Sequence, residues 1–277
     1  EYDGPFEKRI KSLPRWPIIE TSYNYNEENQ LLSLSEDLTY QGVAFEIKDV
    51  NYAYDLRGNL TQEEVLGGDT ATYSYDYESR LIAYQRSDLL IENEYDGEGR
   101  RVAVSTDGDR HTYYYDGMKP LIERDANGIT ENYYVRGLGY GGGIGSIVSM
   151  TTPKEITTEK VKYKTVYFHY DGLGNVVNIS GKKGHQNGRY VYDAFGNVLR
   201  ERGKWSASNP HCFSTKEEDP SGLIYFGARY YNPELGRWIT KDPLGMIDGP
   251  NLYAYVGNCP TNFIDYWGEY SVGLSAP

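Results

Sequence analysis

"NYAYDLRGNL" (51–60) and "TYSYDYESRL" (72–81) are two copies of one unit, and how that unit folds decides the architecture of the chain. Further copies are "ENEYDGEGRR" (92–101), "TYYYDGMKPL" (112–121), "YFHYDGLGNV" (167–176) and "RYVYDAFGNV" (189–198). "SYNYNEENQL" (22–31) is a weaker copy, and "ENYYVRGLGY" (131–140) reads as a decayed one. The aspartates at 55, 76, 96 and 116 are spaced by 21, 20 and 20 residues, the regularity of a true internal repeat.

In Tyr-x-Tyr-Asp the two rings stand two residues apart, so they share one face of a strand. The aspartate can fold its carboxylate back onto backbone N–H groups as an Asx turn. Three residues on, Gly58, Gly99, Gly174 and Gly196 supply positive φ. Apolar residues then resume at Leu60, Val102, Val176 and Val198 as the returning strand. Each copy is therefore a β-hairpin that cannot bury its tyrosine face alone, and neighbouring hairpins must add edge to edge into one antiparallel sheet. The expected fold class is all-β: a strip of hairpins curling into a shell or partial barrel.

The composition agrees. Of 277 residues, 29 are Tyr and 31 Gly, against seven Phe and three Met, which suits half-buried strands joined by tight turns. A net charge of −12 argues against nucleic acid as a partner. No apolar run reaches the ~18 residues of a membrane span, and "EYDGPFEKRI" (1–10) lacks the features of a secretory signal. Cys212 and Cys259 make no disulfide framework and read as reduced thiols. The histidines at 111, 169, 185 and 211 show no metal-ligand spacing, so neither metal nor other cofactor is expected. "GKKGHQNG" (181–188) reads as an exposed hairpin loop. The glycine-rich stretch 137–161 reads as a flexible insertion between strands, and one short helix is expected near "GRWITKDP" (236–243).

The repeats resemble those of the YD-repeat, or Rhs, family across roughly residues 22–200. "GLIYFGARYYNPELGRWITKDPLG" (222–245) followed by "NLYAYVGNCPTNFID" (251–265) is similar to the Rhs repeat-associated core. Bacterial Rhs polymorphic toxins, the C subunits of insecticidal Tc toxins and teneurin shells belong to this group. The resemblance implies a sheet wound into a hollow cocoon with one end plugged by the core domain. It divides the chain into a shell segment, 1–200, and a core, 201–277, that serves as plug and self-cleavage domain. It also implies a shell that holds or delivers a toxin or other cargo, secreted or delivered by a bacterial secretion system. A teneurin-like adhesion or recognition module is the alternative. Family cocoons contain more repeats than are visible here. A small closed barrel, a fragment of a longer shell, or a companion chain or further copy completing the wall are the possible consequences, with the companion chain favoured.

In this family the core resembles an aspartyl protease acting on its own chain, with two Asp-Pro-x-Gly-Leu motifs. Asp242-Pro243-Leu244-Gly245 matches the first, with Met246 in place of Leu, and Asp265 stands 23 residues later. The resemblance makes Asp242 and Asp265 the candidate catalytic pair. Asp248, Arg237 and Lys241 are possible helpers, and Gly268 and Glu269 form the scissile region. Two neighbouring carboxyls suit the task, because one can stay protonated while the other activates water. Either aspartate could equally be a turn former. Tyr266 replaces the second proline and Glu269 the leucine of the cleavage edge, and only eight residues follow Glu269. These departures predict reduced or absent self-cleavage.

Overall fold

The structure is a computed structural model describing residues 18–40, 43–156, 161–206 and 208–273. The stretch 1–10 read above for signal features lies outside them. One antiparallel sheet carries sixteen strands in sequence order. These are β1 (Ile18–Tyr25), β2 (Leu31–Tyr40), β3 (Val43–Tyr54), β4 (Leu60–Val65), β5 (Thr70–Tyr75), β6 (Leu81–Arg86), β7 (Leu89–Tyr95) and β8 (Arg101–Thr106). They continue as β9 (Asp109–Asp116), β10 (Lys119–Arg124), β11 (Thr130–Arg136), β12 (Ile147–Ile156), β13 (Val161–Tyr170), β14 (Val176–Gly181), β15 (Gln186–Tyr192) and β16 (Val198–Arg202). β1 and β16 do not pair with each other, so the sheet is a curled strip rather than a closed barrel.

The repeat aspartates build the turns. Asp55 Oδ1 accepts hydrogen bonds from the N–H groups of Arg57 and Asn59, both at 2.9 Å. Asp76, Asp96, Asp171 and Asp193 accept from the residues two and four ahead in the same way. Beside each of these turns the register slips by one residue, a β-bulge that adds twist and curls the strip. Asp116 departs from the expectation. It ends β9, and residues 117–118 form a tight hairpin turn instead. The missing Asx turn is at Asp125, whose Oδ1 accepts from Asn127 at 3.0 Å and Ile129 at 2.7 Å. Because strands alternate in direction, this turn lies on the opposite margin of the sheet from the others.

Two further expectations are corrected. The glycine-rich stretch after Gly137 is not merely an insertion: β12 runs through it and pairs with both β11 and β13. No helix forms at 236–243, where Arg237–Trp238 is a strand paired with Tyr231–Asn232. The loop at 181–188 does turn the chain from β14 into β15.

One face of the strip buries the tyrosines. Tyr52, Tyr73, Tyr84 and Tyr113 pack with Leu31, Val50, Leu60, Leu81 and Ile91. Leu223, Tyr230 and Ile239 from the C-terminal segment complete this cluster, so the segment sits inside the curl. It carries β17 (Glu217–Glu218), β18 (Ile224–Tyr225), β19 (Tyr230–Asn232) and β20 (Arg237–Trp238) in one small sheet, and β21 (Phe263–Asp265) with β22 (Ser271–Gly273) in another. Its own core is a nest of rings, Phe213, Phe226, Tyr231, Trp238 and Tyr255, with Tyr231 and Tyr255 centroids 4.5 Å apart.

The segment covers the margin that carries most of the Asx turns. Tyr253 donates its hydroxyl to Gly58 O at 2.8 Å, and Leu60 N–H bonds to Ile239 O at 2.9 Å. Ser214 N–H bonds to Asn175 Oδ1 at 2.8 Å, and Asn197 donates to Pro233 O at 2.8 Å. Deeper in, Arg101 is fully buried, with Nη2 2.6 Å from Glu217 and Nη1 donating to the Tyr230 hydroxyl at 2.8 Å.

A carboxylate pair on a buried arginine: the candidate active site

Asp242 and Asp265 are brought together, and the residue that joins them is Arg229. Its Nη2 lies 2.8 Å from Asp242 Oδ2 and 3.6 Å from Asp265 Oδ2. All three side chains are nearly excluded from solvent, at 2%, 7% and 2% exposure for Arg229, Asp242 and Asp265. The guanidinium lies over the Trp238 ring, 4.2 Å from its centroid, and Nη1 donates to Leu252 O at 3.2 Å. Its place follows from β19, since the short chain from Gly227 to β19 presses residue 229 into the ring nest.

Each aspartate uses one oxygen as a turn former and turns the other to the arginine. Asp242 Oδ1 accepts from Leu244 N–H at 2.8 Å. Asp265 Oδ1 accepts from Trp267 at 3.0 Å, Gly268 at 2.7 Å and Glu269 at 3.1 Å, the repeat's own Asx turn reused in the core. Arg229 Nε donates to Gly268 O. The peptide bond between Gly268 and Glu269 is therefore held at both ends, its carbonyl on Arg229 and its N–H on Asp265. Gly268 has φ +76°, and a Cβ there would meet the Arg229 backbone at 3.2 Å.

Burial raises both carboxyls from the ordinary aspartate value, and Arg229 opposes part of that rise. Burial likewise lowers Arg229, offset by the two aspartates. A raised carboxyl pKa is the direction an acid catalyst needs. A guanidinium between two carboxylates also favours their ionised forms, so the pair is an ion-paired triad rather than two acids sharing one proton.

Two of the expected helpers are engaged elsewhere, while the charge of Asp248 acts on Arg229 and Asp242. Arg237 donates to Asn29 O and stacks between the rings of Tyr25 and Tyr253. Lys241 Nζ pairs with Glu28 at 2.7 Å. Asp248 is exposed, and its Oδ2 accepts from Ser271 N–H. Sequence reasoning missed Arg229, which no motif spacing marks. It also passed over Asp219-Pro220-Ser221-Gly222-Leu223, a literal Asp-Pro-x-Gly-Leu. That aspartate forms another turn, accepting from Ser221 N–H at 3.0 Å, and burial raises it to about 6, but it lines the interior cavity rather than joining the pair.

With this geometry in place, the comparison with known proteins is direct. The teneurin YD-shell family model matches residues 17–249. The chain belongs to the teneurin YD-shell family. Among relatives of this YD-shell protein, the tRNA3(Ser)-specific nuclease WapA of Bacillus spizizenii is 30% identical over 236 residues, covering 81% of this chain and 9% of the relative. Toxin subunit YenC1 of Yersinia entomophaga is 26% identical over 261 residues, covering 87% of this chain and 25% of the relative. The chain thus spans a small part of these proteins. A solved structure of TcdB2-TccC3-Cdc42 superposes with a TM-score of 0.57 at 19% identity, over 91% of this chain and 16% of that one, and shares its fold. The relatives are Rhs- and Tc-type toxin components, and no helix among the described residues is long and apolar enough to cross a membrane.

Proposed function

We propose that this chain is the C-terminal part of an Rhs-type encapsulating shell that holds or delivers a toxin or other cargo outside the producing cell. The curled sheet is its wall and residues 201–277 are the plug. The observation that carries this reading is the line of plug contacts along the Asx-turn margin, from Gly58 through Asn175 to Asn197. Among the described residues the outer edges of β1 and β16 are unpaired, and a companion chain or further copy extends the wall from them. The test is limited proteolysis of a cargo segment within the full-length precursor. A Cβ at Gly58 would stand 2.4 Å from Lys241 and 2.6 Å from the Tyr253 hydroxyl, so Gly58→Leu should part plug from margin and expose the cargo. Equal digestion in wild type and variant would sink the reading.

The arginine-linked pair supports a second role, cleavage of the chain's own backbone beside Gly268 and Glu269. Arg229 would steady the carbonyl as charge builds on it, while Asp242 and Asp265 exchange protons with water and the leaving amine. Intact mass decides. A processed wild-type chain ends at Gly268, having lost Glu269 and the residues after it, whereas Asp242→Asn and Asp265→Asn chains keep them. Identical masses would leave the triad as a structural lock only.

A further inference from the structure

The out-of-phase turn at Asp125 creates a cluster that no linear motif announces. In the β10–β11 pairing Glu123 faces Asn132 and Arg124 faces Thr130, which leaves Glu131 as the extra, bulged residue. A bulge re-aims a side chain, and here two consecutive residues, Glu131 and Asn132, reach the same face. On β9, Tyr113 pairs with Glu123, and His111, two residues earlier, shares its face. Ligand atoms of His111, Glu123 and Glu131 consequently lie within 4.8 Å of one another.

We propose that His111, Glu123 and Glu131 form a divalent cation site of the zinc class on the wall of the interior cavity. Nδ1 of His111 lies 2.6 Å from Glu131 Oε2 and 3.3 Å from Glu123 Oε1. That nitrogen is shielded from solvent and ion-paired with both carboxylates, so a cation would take the place of the imidazolium proton between them. A divalent ion bonded to nitrogen and oxygen at ~2.0–2.2 Å would hold these atoms about 3 Å apart, so Glu131 would draw back slightly as the ion entered.

The surroundings orient the ligands as metal sites require. Asp109 Oδ2 is 3.5 Å from His111 Nε2, which favours keeping a proton on Nε2 while a cation takes Nδ1. Asn132 donates to Glu123 Oε2 at 2.7 Å and Tyr134 at 3.3 Å, so Oε1 is the oxygen left for the ion. One imidazole and two carboxylates suit a borderline divalent ion, with open positions for water or a donor from whatever the cavity holds. The three ligands line a cavity of about 990 Å³.

Calorimetric titration of the EDTA-treated full chain with Zn²⁺ tests the site, with Co²⁺ absorption as an independent readout. One equivalent should bind with oxygen–nitrogen, thiolate-free Co²⁺ bands. Binding should disappear in His111→Ala and Glu131→Gln and weaken about 10–100-fold in Asn132→Ala. His185→Gln, in the β14–β15 loop, should match wild type. Circular dichroism of each variant confirms the fold. A silent wild-type titration, thiolate bands, or unchanged binding in His111→Ala and Glu131→Gln would each overturn the proposal.

Discussion

Tyr75 shows why the repeat uses tyrosine rather than phenylalanine. Its hydroxyl donates to Leu60 O at 2.8 Å, one hairpin back, and Tyr95, Tyr170 and Tyr192 reach back to Leu81, Ile147 and Val176 in the same way. Tyr75→Phe should cost about 1–3 kcal/mol by leaving a buried carbonyl unpaired, while Tyr77→Phe, at an exposed ring, should leave the urea midpoint unchanged. Arg229→Met strands two buried carboxyls and should cost about 3–5 kcal/mol near neutral pH. The loss should shrink in a second measurement at acidic pH, because burial raises both carboxyls and they take up protons as the pH falls. Denaturant titrations at the two pH values check it. Asp242 and Asp265 were legible because motif spacing marks them. Arg229 was not, because only the folded ring nest delivers it to them.

At the scale of the element, the turn glycines separate backbone strain from packing. Gly99 has φ +80° with only the Arg80 side chain nearby, at 3.9 Å. Gly99→Ala should therefore cost about 1–2 kcal/mol, the left-handed backbone alone. Gly174 has φ +77°, but its Cβ would stand 2.3 Å from Ile144, so Gly174→Ala should cost distinctly more in the same urea experiment. The hairpins were readable wherever Tyr-x-Tyr-Asp survives. At "RDANGIT" (124–130) Arg124 replaces the second tyrosine, and the eye passes to Asp116, which keeps the letters but not the turn. β12 was hidden by its glycine-rich approach. The His111 cluster was hidden because register, not spacing, assembles it.

Across the whole molecule, Lys216 ties the C-terminal segment to the chain before β12. Buried, it donates to Gly142 O at 2.9 Å, Phe226 O at 3.2 Å and Tyr266 O at 2.6 Å. Burial lowers its pKa from 10.5 to about 7, with Asp265 partly opposing. Between pH 7 and 10.5 the unfolded chain then holds a proton that the folded chain has lost, so this group makes stability rise with pH across that window. The stability of wild type minus that of Lys216→Met should grow from pH 7 to 10.5. A flat difference would show that the amine stays charged in place.

The C-terminal segment's grip on Gly58, Asn175 and Asn197 also acts as a ruler. Gly58, at the β3–β4 turn, lies far along the strip from Asn175 and Asn197 at the β13–β14 and β15–β16 turns, and their separation depends on how many hairpins lie between. Inserting or deleting one unit between Asp76 and Asp96 would slide the outer anchors by two strand widths while the lid stayed the same size. Repeat number in this stretch is thereby fixed from outside the repeats. Longer members of such a lineage would grow beyond the first anchor, not between anchors.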